Sequence, residues 1–436
     1  MGLKRTENGL LYLLYLTLGT YAIPALRIGP GEFAFPYAAY LSFVLLWVLV
    51  ARLVKDQGSI YLSKALIMFT FVYLLSLVVS TSISQFPDLG MTVKSFFFTM
   101  TPFLVACVSD KVKFVRRAII CLGISGFVVF LFGAYGFVTG EIGSQSEHLL
   151  GYFGVTYEPA TRNSDMLFLQ STFWILLSIL LFGTRSRMRI VYAVGVALLA
   201  AGMFLSLVRG TWITTSLTLL IIMVIGSRYR PQIRYVFPLF LVVVVVCLTG
   251  ITFLLGQEQV HLIVNRFSTL STLSIDGGNS NLARIDLAGR ILRIIPEHPF
   301  GVGVANVRFY LADFPFGDVN HAENVYLQLC VEQGIFGVAI FLLLLGWILS
   351  RLSWFVRDTN HRPEEVWVGW ALLGIVINWL FYGLFNLMID SMWYWLVMSL
   401  AVSLCNLTER EMLRCRRTLA TCVPPTLIPQ SRSTNP

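Results

Sequence analysis

Apolar residues run along this chain in blocks close to the length a helix needs to cross a bilayer, about 20 residues at 1.5 Å each. Charge, Pro and Gly clusters interrupt them. Cut at those interruptions, the sequence predicts an all-α, polytopic membrane protein with twelve spans near residues 9–26, 33–54, 62–82, 93–109, 115–138, 165–183, 188–207, 210–226, 234–256, 324–349, 366–388 and 391–407. The first, behind Lys4-Arg5, reads as an uncleaved span because further apolar runs follow it at once. The expected organisation is nine spans with short loops over residues 1–256, a long loop over 257–323, three spans over 324–407 and a disordered tail over 408–436.

The long loop contains an element of its own. From Arg284 to Ile295, the apolar residues Ile285, Leu287, Ile291, Leu292, Ile294 and Ile295 fall on one side of a helical wheel, with Asp286, Arg290 and Arg293 opposite. That periodicity predicts an amphipathic helix capped by Asn281 and stopped at Pro296. The turn Pro299-Phe300-Gly301-Val302-Gly303 follows.

Composition agrees with the span count: 56% of residues are hydrophobic and 13% charged, against about 25% charged in a soluble domain. The formal net charge of +9 then reads as topology rather than as a nucleic-acid surface. With twelve spans, 23 of the 32 Lys and Arg residues fall on the side of the termini. By the preference of basic residues for the cytoplasm, both termini are cytoplasmic and the long loop lies outside. The nine basic residues on the other side are Arg27, Lys94, Arg162, Arg209, Arg266, Arg284, Arg290, Arg293 and Arg308. The seven cysteines show no metal-ligand spacing, and neither a disulfide framework nor a zinc site is expected.

Five residues carry candidate chemistry. Arg209 interrupts the apolar stretch Leu205 to Trp212 where the chain turns at the outer surface, so it is either a ligand for an anion or an arginine reaching headgroup phosphates. Arg284 stands on the apolar side of its helix, in the first turn, where the dipole disfavours a cation; a bound anion would relieve both costs. His321 and Glu323 close the long loop just ahead of Asn324. Glu323 or Asn324 would cap the following helix, and His321 or Glu323 would serve as a general base at the membrane face. Glu332, two turns further on, should be paired or protonated.

Taken together, these elements resemble the O-antigen ligase and O-antigen polymerase family of bacterial envelope glycosyltransferases. Arg209-Gly210 ends an outer hairpin, Arg284 precedes the Pro299 to Gly303 turn, and nine residues separate Asn324 from Gly334-Ile335-Phe336-Gly337. Where the ligases of that family carry a catalytic His, this chain has Glu323, with His321 two residues earlier. The resemblance implies a GT-C-like inner-membrane enzyme that moves a glycan from undecaprenyl pyrophosphate to an acceptor hydroxyl at the periplasmic face. It also implies that Arg209 and Arg284, with Arg162 as a third, bind the pyrophosphate, that His321 or Glu323 is catalytic, and that no metal or cofactor takes part. The products in view are surface polysaccharides, exopolysaccharide or lipopolysaccharide, made alongside other assembly and export proteins. A polymerase is the first reading and a ligase onto lipid A-core the second. The rival of another class is a twelve-span secondary transporter, which should keep repeat symmetry and place its charges near the midplane.

Overall fold

The computed structural model describes residues 27–28, 35–36, 62–109, 111–139, 161–183, 188–205, 208–229, 231–235, 280–311, 321–358, 363–389 and 392–422, with residues 238, 242, 245 and 249. Apart from a two-residue antiparallel pairing of Arg27–Ile28 with Phe35–Pro36, the described chain is helical. Its long helices are α1 (Lys64–Ile83), α2 (Leu89–Val108), α3 (Val112–Thr139), α4 (Thr161–Phe182), α5 (Arg189–Leu205), α6 (Arg209–Gly226), α7 (Ser280–Glu297), α9 (Val325–Arg357), α10 (Pro363–Tyr382) and α11 (Met392–Cys422); the single turn α8 (Val307–Tyr310) lies between α7 and α9. Nine of the predicted spans appear as helices, and five helices are long and apolar enough to cross a membrane. These mark the chain as a membrane protein.

Some boundaries move. Phe35–Pro36, at the start of the predicted second span, is extended rather than helical. The first span, residues 9–26, the rest of the second and most of the ninth, residues 234–256, lie outside the described residues, six positions of the ninth excepted. The tenth runs much further than residue 349, to Arg357, and the twelfth continues past residue 407 to Cys422, so the first part of the tail expected to be disordered is helical.

Helix α10 is the centre of the bundle. It packs against α3, α4, α6, α9 and α11, and beyond Glu364 and Glu365 in its first turn its side chains are apolar except Asn378, as suits an enclosed helix. Trp370, Trp379 and Tyr382 are among the largest fully buried side chains. In lipid there is little hydrophobic gain in bringing helices together, so close packing matters more. Trp174 of α4 lies so near Gly374 of α10 that a Cβ there would stand 2.4 Å from its ring.

Helix α7 is seated apart from this core. Leu287, Ile291 and Ile295 form a second apolar cluster with Val302, Val307, Leu311, Ala322 and Val331. Full burial of such aliphatic side chains is worth about 1.5–3 kcal/mol each where the alternative is water. The helix was expected to bury six apolar residues, but Ile285 and Leu292 are 58% and 56% exposed. They sit roughly 90° around the helix from the seated face, a separation that the broad apolar arc of the wheel conceals. It also begins at Ser280, ahead of the predicted cap Asn281, and runs through Pro296 to Glu297.

Candidate functional site

Asn324 organises the start of α9. Its side-chain oxygen accepts from the backbone N–H groups of Tyr326 at 2.9 Å and Leu327 at 3.0 Å, satisfying donors that a helix start leaves open. Its amide donates to the Leu384 carbonyl at 3.0 Å, and the Val325 N–H donates to the Gly383 carbonyl at 2.9 Å. Of the two residues expected to cap this helix, Asn324 does so, and the carboxylate of Glu323 is left for another contact.

That contact is Arg284. The two side chains form an ion pair at 2.5 Å, Nη2 to Oε2, with both groups 40–50% exposed. Arg284 lies past the first turn of α7, because the helix starts four residues before it, and the dipole penalty expected from the sequence is correspondingly reduced. Its charge is met by Glu323 instead. On the opposite side of the helix Arg290 pairs with Asp286 at 3.0 Å.

Arg209 opens α6 and is half-buried. The Trp212 indole donates to the Met203 carbonyl at 3.0 Å and stacks on Phe204 at 4.8 Å between ring centres, closing the hairpin with α5 and holding Arg209 at its tip. Gly210 abuts the turn after α10: a Cβ there would meet Asn386 and Phe385 at 3.5 Å. The turn from Gly383 to Asn386 therefore receives both the Arg209-Gly210 tip and the Asn324-Val325 helix start. Three of the candidate positions share one end of the bundle, Arg284 joining them through Glu323. His321 is half-buried on the other side of the buried Ala322 and has no pairing with any described residue. Arg162 stands at the start of α4, and its side chain lies outside the described residues.

The two glycine motifs form one joint. Gly301 and Gly303 have φ of +90° and +91°, and Gly334 breaks α9 with φ +75°. Val302 and Gly303 donate to the carbonyls of Val331 and Glu332 at 2.8 and 3.0 Å, and Ile335 donates back to Pro299 at 3.2 Å. A Cβ on Gly301 would lie 2.3 Å from the Glu332 oxygen, and one on Gly334 would lie 2.3 Å from the Pro299 oxygen. Only glycine suits either place, by backbone conformation and by space. Asn306 then ties this turn to the α1–α2 connection through Ser84 at 2.5 Å. Arg308 reaches Asp88 at 3.9 Å, and Phe309 packs on Phe86.

Beneath the joint the expected pairing of Glu332 is met in a way the sequence did not reveal. Its Oε1 accepts from the Ala305 N–H at 2.7 Å and from the Gln328 amide at 2.6 Å, and Gln328 in turn accepts from the Ala322 N–H at 2.6 Å. Gln328 was not singled out from the sequence. The signal was there: Asn324, Gln328 and Glu332 recur every four residues on one face of an apolar helix.

An arginine hairpin tip, an arginine paired to a carboxylate and an interlocked pair of glycine turns thus occur together, in this chain order. Residues 194–342 match the O-antigen ligase family model. The matched O-antigen ligase region runs from α5 through α6, α7 and the glycine turn into α9, and holds Arg209, Arg284, His321, Glu323 and both glycine motifs. This match points to a glycan-transferring enzyme of polysaccharide assembly. No curated protein matches the chain.

Proposed function

We propose that the protein is a surface-polysaccharide polymerase acting at the periplasmic face of the bacterial inner membrane, with an undecaprenyl-pyrophosphate-linked glycan as donor. The observation that carries this reading is the Arg284–Glu323 contact, which unites an anion-binding side chain with a carboxylate at one end of a membrane bundle. In the reaction, an acceptor hydroxyl attacks the anomeric carbon, the bond from that carbon to the pyrophosphate oxygen breaks, and the hydroxyl proton passes to the base. Charge grows on the departing pyrophosphate, where the guanidinium groups of Arg209 and Arg284, with Arg162 as a third, are suited to stabilise it bidentately. Attack in line with the leaving group inverts the anomeric centre.

Between the two candidate bases, the geometry favours Glu323. Asn324 does the capping, so Glu323 is not held by its own helix. A carboxylate beside Arg284 stands next to the place where the leaving group would sit, whereas His321, two residues earlier, has no partner to orient it among the described residues. No metal is required where arginines neutralise the leaving group.

Glycan profiles of cells carrying Arg209→Ala, Arg284→Ala, His321→Ala and Glu323→Ala test the reading. Full-length surface glycan in all four, at normal protein levels, would reject it. A ligase that moves finished glycan onto lipid A-core is the second reading, favoured by the ligase description of the matched region; Glu323 in the place of the ligases' His favours the polymerase. Deleting the gene separates them, since single carrier-linked repeat units accumulate without a polymerase and long carrier-linked chains accumulate without a ligase.

A further inference from the structure

Gln328 and Glu332 are almost entirely buried, at 1% and 4% exposure, in a helix whose other inward side chains are apolar except Gln333, which is bonded to Tyr73 and Ser76 of α1. Polar groups at such depth are costly unless hydrogen-bonded, and a carboxyl more so. The hydrogen bonds of the pair reach both of the segments that carry the site. Glu332 holds the glycine turn twice, accepting from Gly303 N–H with its backbone carbonyl at 3.0 Å and from Ala305 N–H with its carboxylate at 2.7 Å. Ala305 is the one non-glycine with positive φ among the described residues, at +61°. That turn continues directly from α7, which bears Arg284. Gln328 bridges from Glu332 to the N–H of Ala322, the residue bonded to Glu323.

We infer that Gln328 and Glu332 are positioning residues: a buried relay that references the arginine-bearing helix and the Glu323-bearing segment to a single carboxylate, and so sets the Arg284–Glu323 geometry. The inference rests on the glycosyl-transfer reading. Neither residue touches substrate. Their role is to keep two segments in register that are joined by chain only through the long stretch between α7 and α9. The relay needs an oxygen at Glu332 that accepts two N–H groups, not a negative charge, and this separates a positioning role from one in proton transfer.

The test uses full-length protein in detergent or nanodiscs, carrier-linked glycan extracted from cells deleted for the gene as donor, and inorganic pyrophosphate as binding probe. Gln328→Leu and Glu332→Ala should lower kcat about 10- to 100-fold, the scale of a displacement near 1 Å in a reacting constellation. KM for the donor should change little, and the loss of turnover should exceed what any fall in melting temperature accounts for. Glu332→Gln, which keeps an accepting oxygen in place, should recover most of the loss in Glu332→Ala. Wild-type turnover in Gln328→Leu, activity that falls only in step with melting temperature, or a Glu332→Gln no better than Glu332→Ala would each overturn the relay. Failure of the underlying reading looks different: pyrophosphate binding that is the same in Arg284→Ala as in wild type, or no transfer by the wild-type protein.

Discussion

Arg284 and Glu323 lie 39 positions apart in the chain and meet at 2.5 Å, a guanidinium from the second turn of α7 against a carboxylate one residue before the cap of α9. Both are substantially exposed, so the pair is worth at most about 1 kcal/mol. A doubly charged phosphate group can displace such a partner. Arg284 is thus held ready without being locked away, and a pyrophosphate that takes it would leave Glu323 unencumbered beside the acceptor.

Glu323→Gln should accordingly tighten binding of inorganic pyrophosphate by up to about fivefold, the equivalent of the pair's worth. In an Arg284→Ala background the same substitution should have far less effect. Calorimetric titration of the four proteins of this double-mutant cycle measures the coupling. An undiminished effect in the Arg284→Ala background would mean general repulsion by the carboxylate, not exchange of a partner.

Ile291 is fully buried in the seat of α7. Ile291→Ala should cost about 2–5 kcal/mol of local stability, as for other large-to-small changes in a packed cluster. Hydrogen exchange should show α7 losing protection while α10 keeps it, and transfer activity should fall because Arg284 loses its platform. Leu292→Ala, on the exposed side, should do much less.

Gly301→Ala and Gly334→Ala each place a methyl group 2.3 Å from a backbone oxygen at a positive φ. Strain from the backbone alone is about 1–3 kcal/mol, and the overlap adds to it. Both variants should melt well below wild type. Gly289→Ala and Gly346→Ala meet nothing within 4 Å in their helices and should be neutral or stabilising by up to about 1 kcal/mol.

Thr211 and Thr215 are buried on α6, and their hydroxyl oxygens have no hydrogen-bond partner among the described residues. Replacing an unsatisfied hydroxyl by a methyl group of the same shape removes a desolvation cost. Thr215→Val should raise the melting temperature or leave it unchanged. A clear loss of stability would indicate that the hydroxyl is bonded after all.

The spans were legible because each is a local property of the sequence: α1 to α6 and α9 to α11 follow runs of apolar residues that need no knowledge of their neighbours. The position of Arg209 at a hairpin tip was legible for the same reason, since the flanking basic residues fixed where the chain turns. What a helix packs against is not local. Ile285 and Leu292 look like core on a wheel, yet the seat formed by Val302, Val331 and Ala322 is too narrow to cover them. Likewise, nothing near Glu323 announces Arg284, and nothing near Arg209 announces the turn at Gly383 to Asn386. Of the alternatives at the start of α9, the sequence could name two caps and two bases, and the choice of Asn324 as cap came only with the backbone geometry.

The break at Gly334 divides α9 into pieces with different surroundings. Before it, Val325 to Gln333 is clasped by the glycine turn and the seat of α7. After it, roughly 23 residues continue to Arg357, about 34 Å at 1.5 Å per residue. That length alone matches the hydrocarbon thickness of a bilayer. A crossing segment of this helix would then begin near Ile335, and the enclosed carboxylate of Glu332, which sequence position had set two turns deep, would stand at the edge of the hydrocarbon instead of within it.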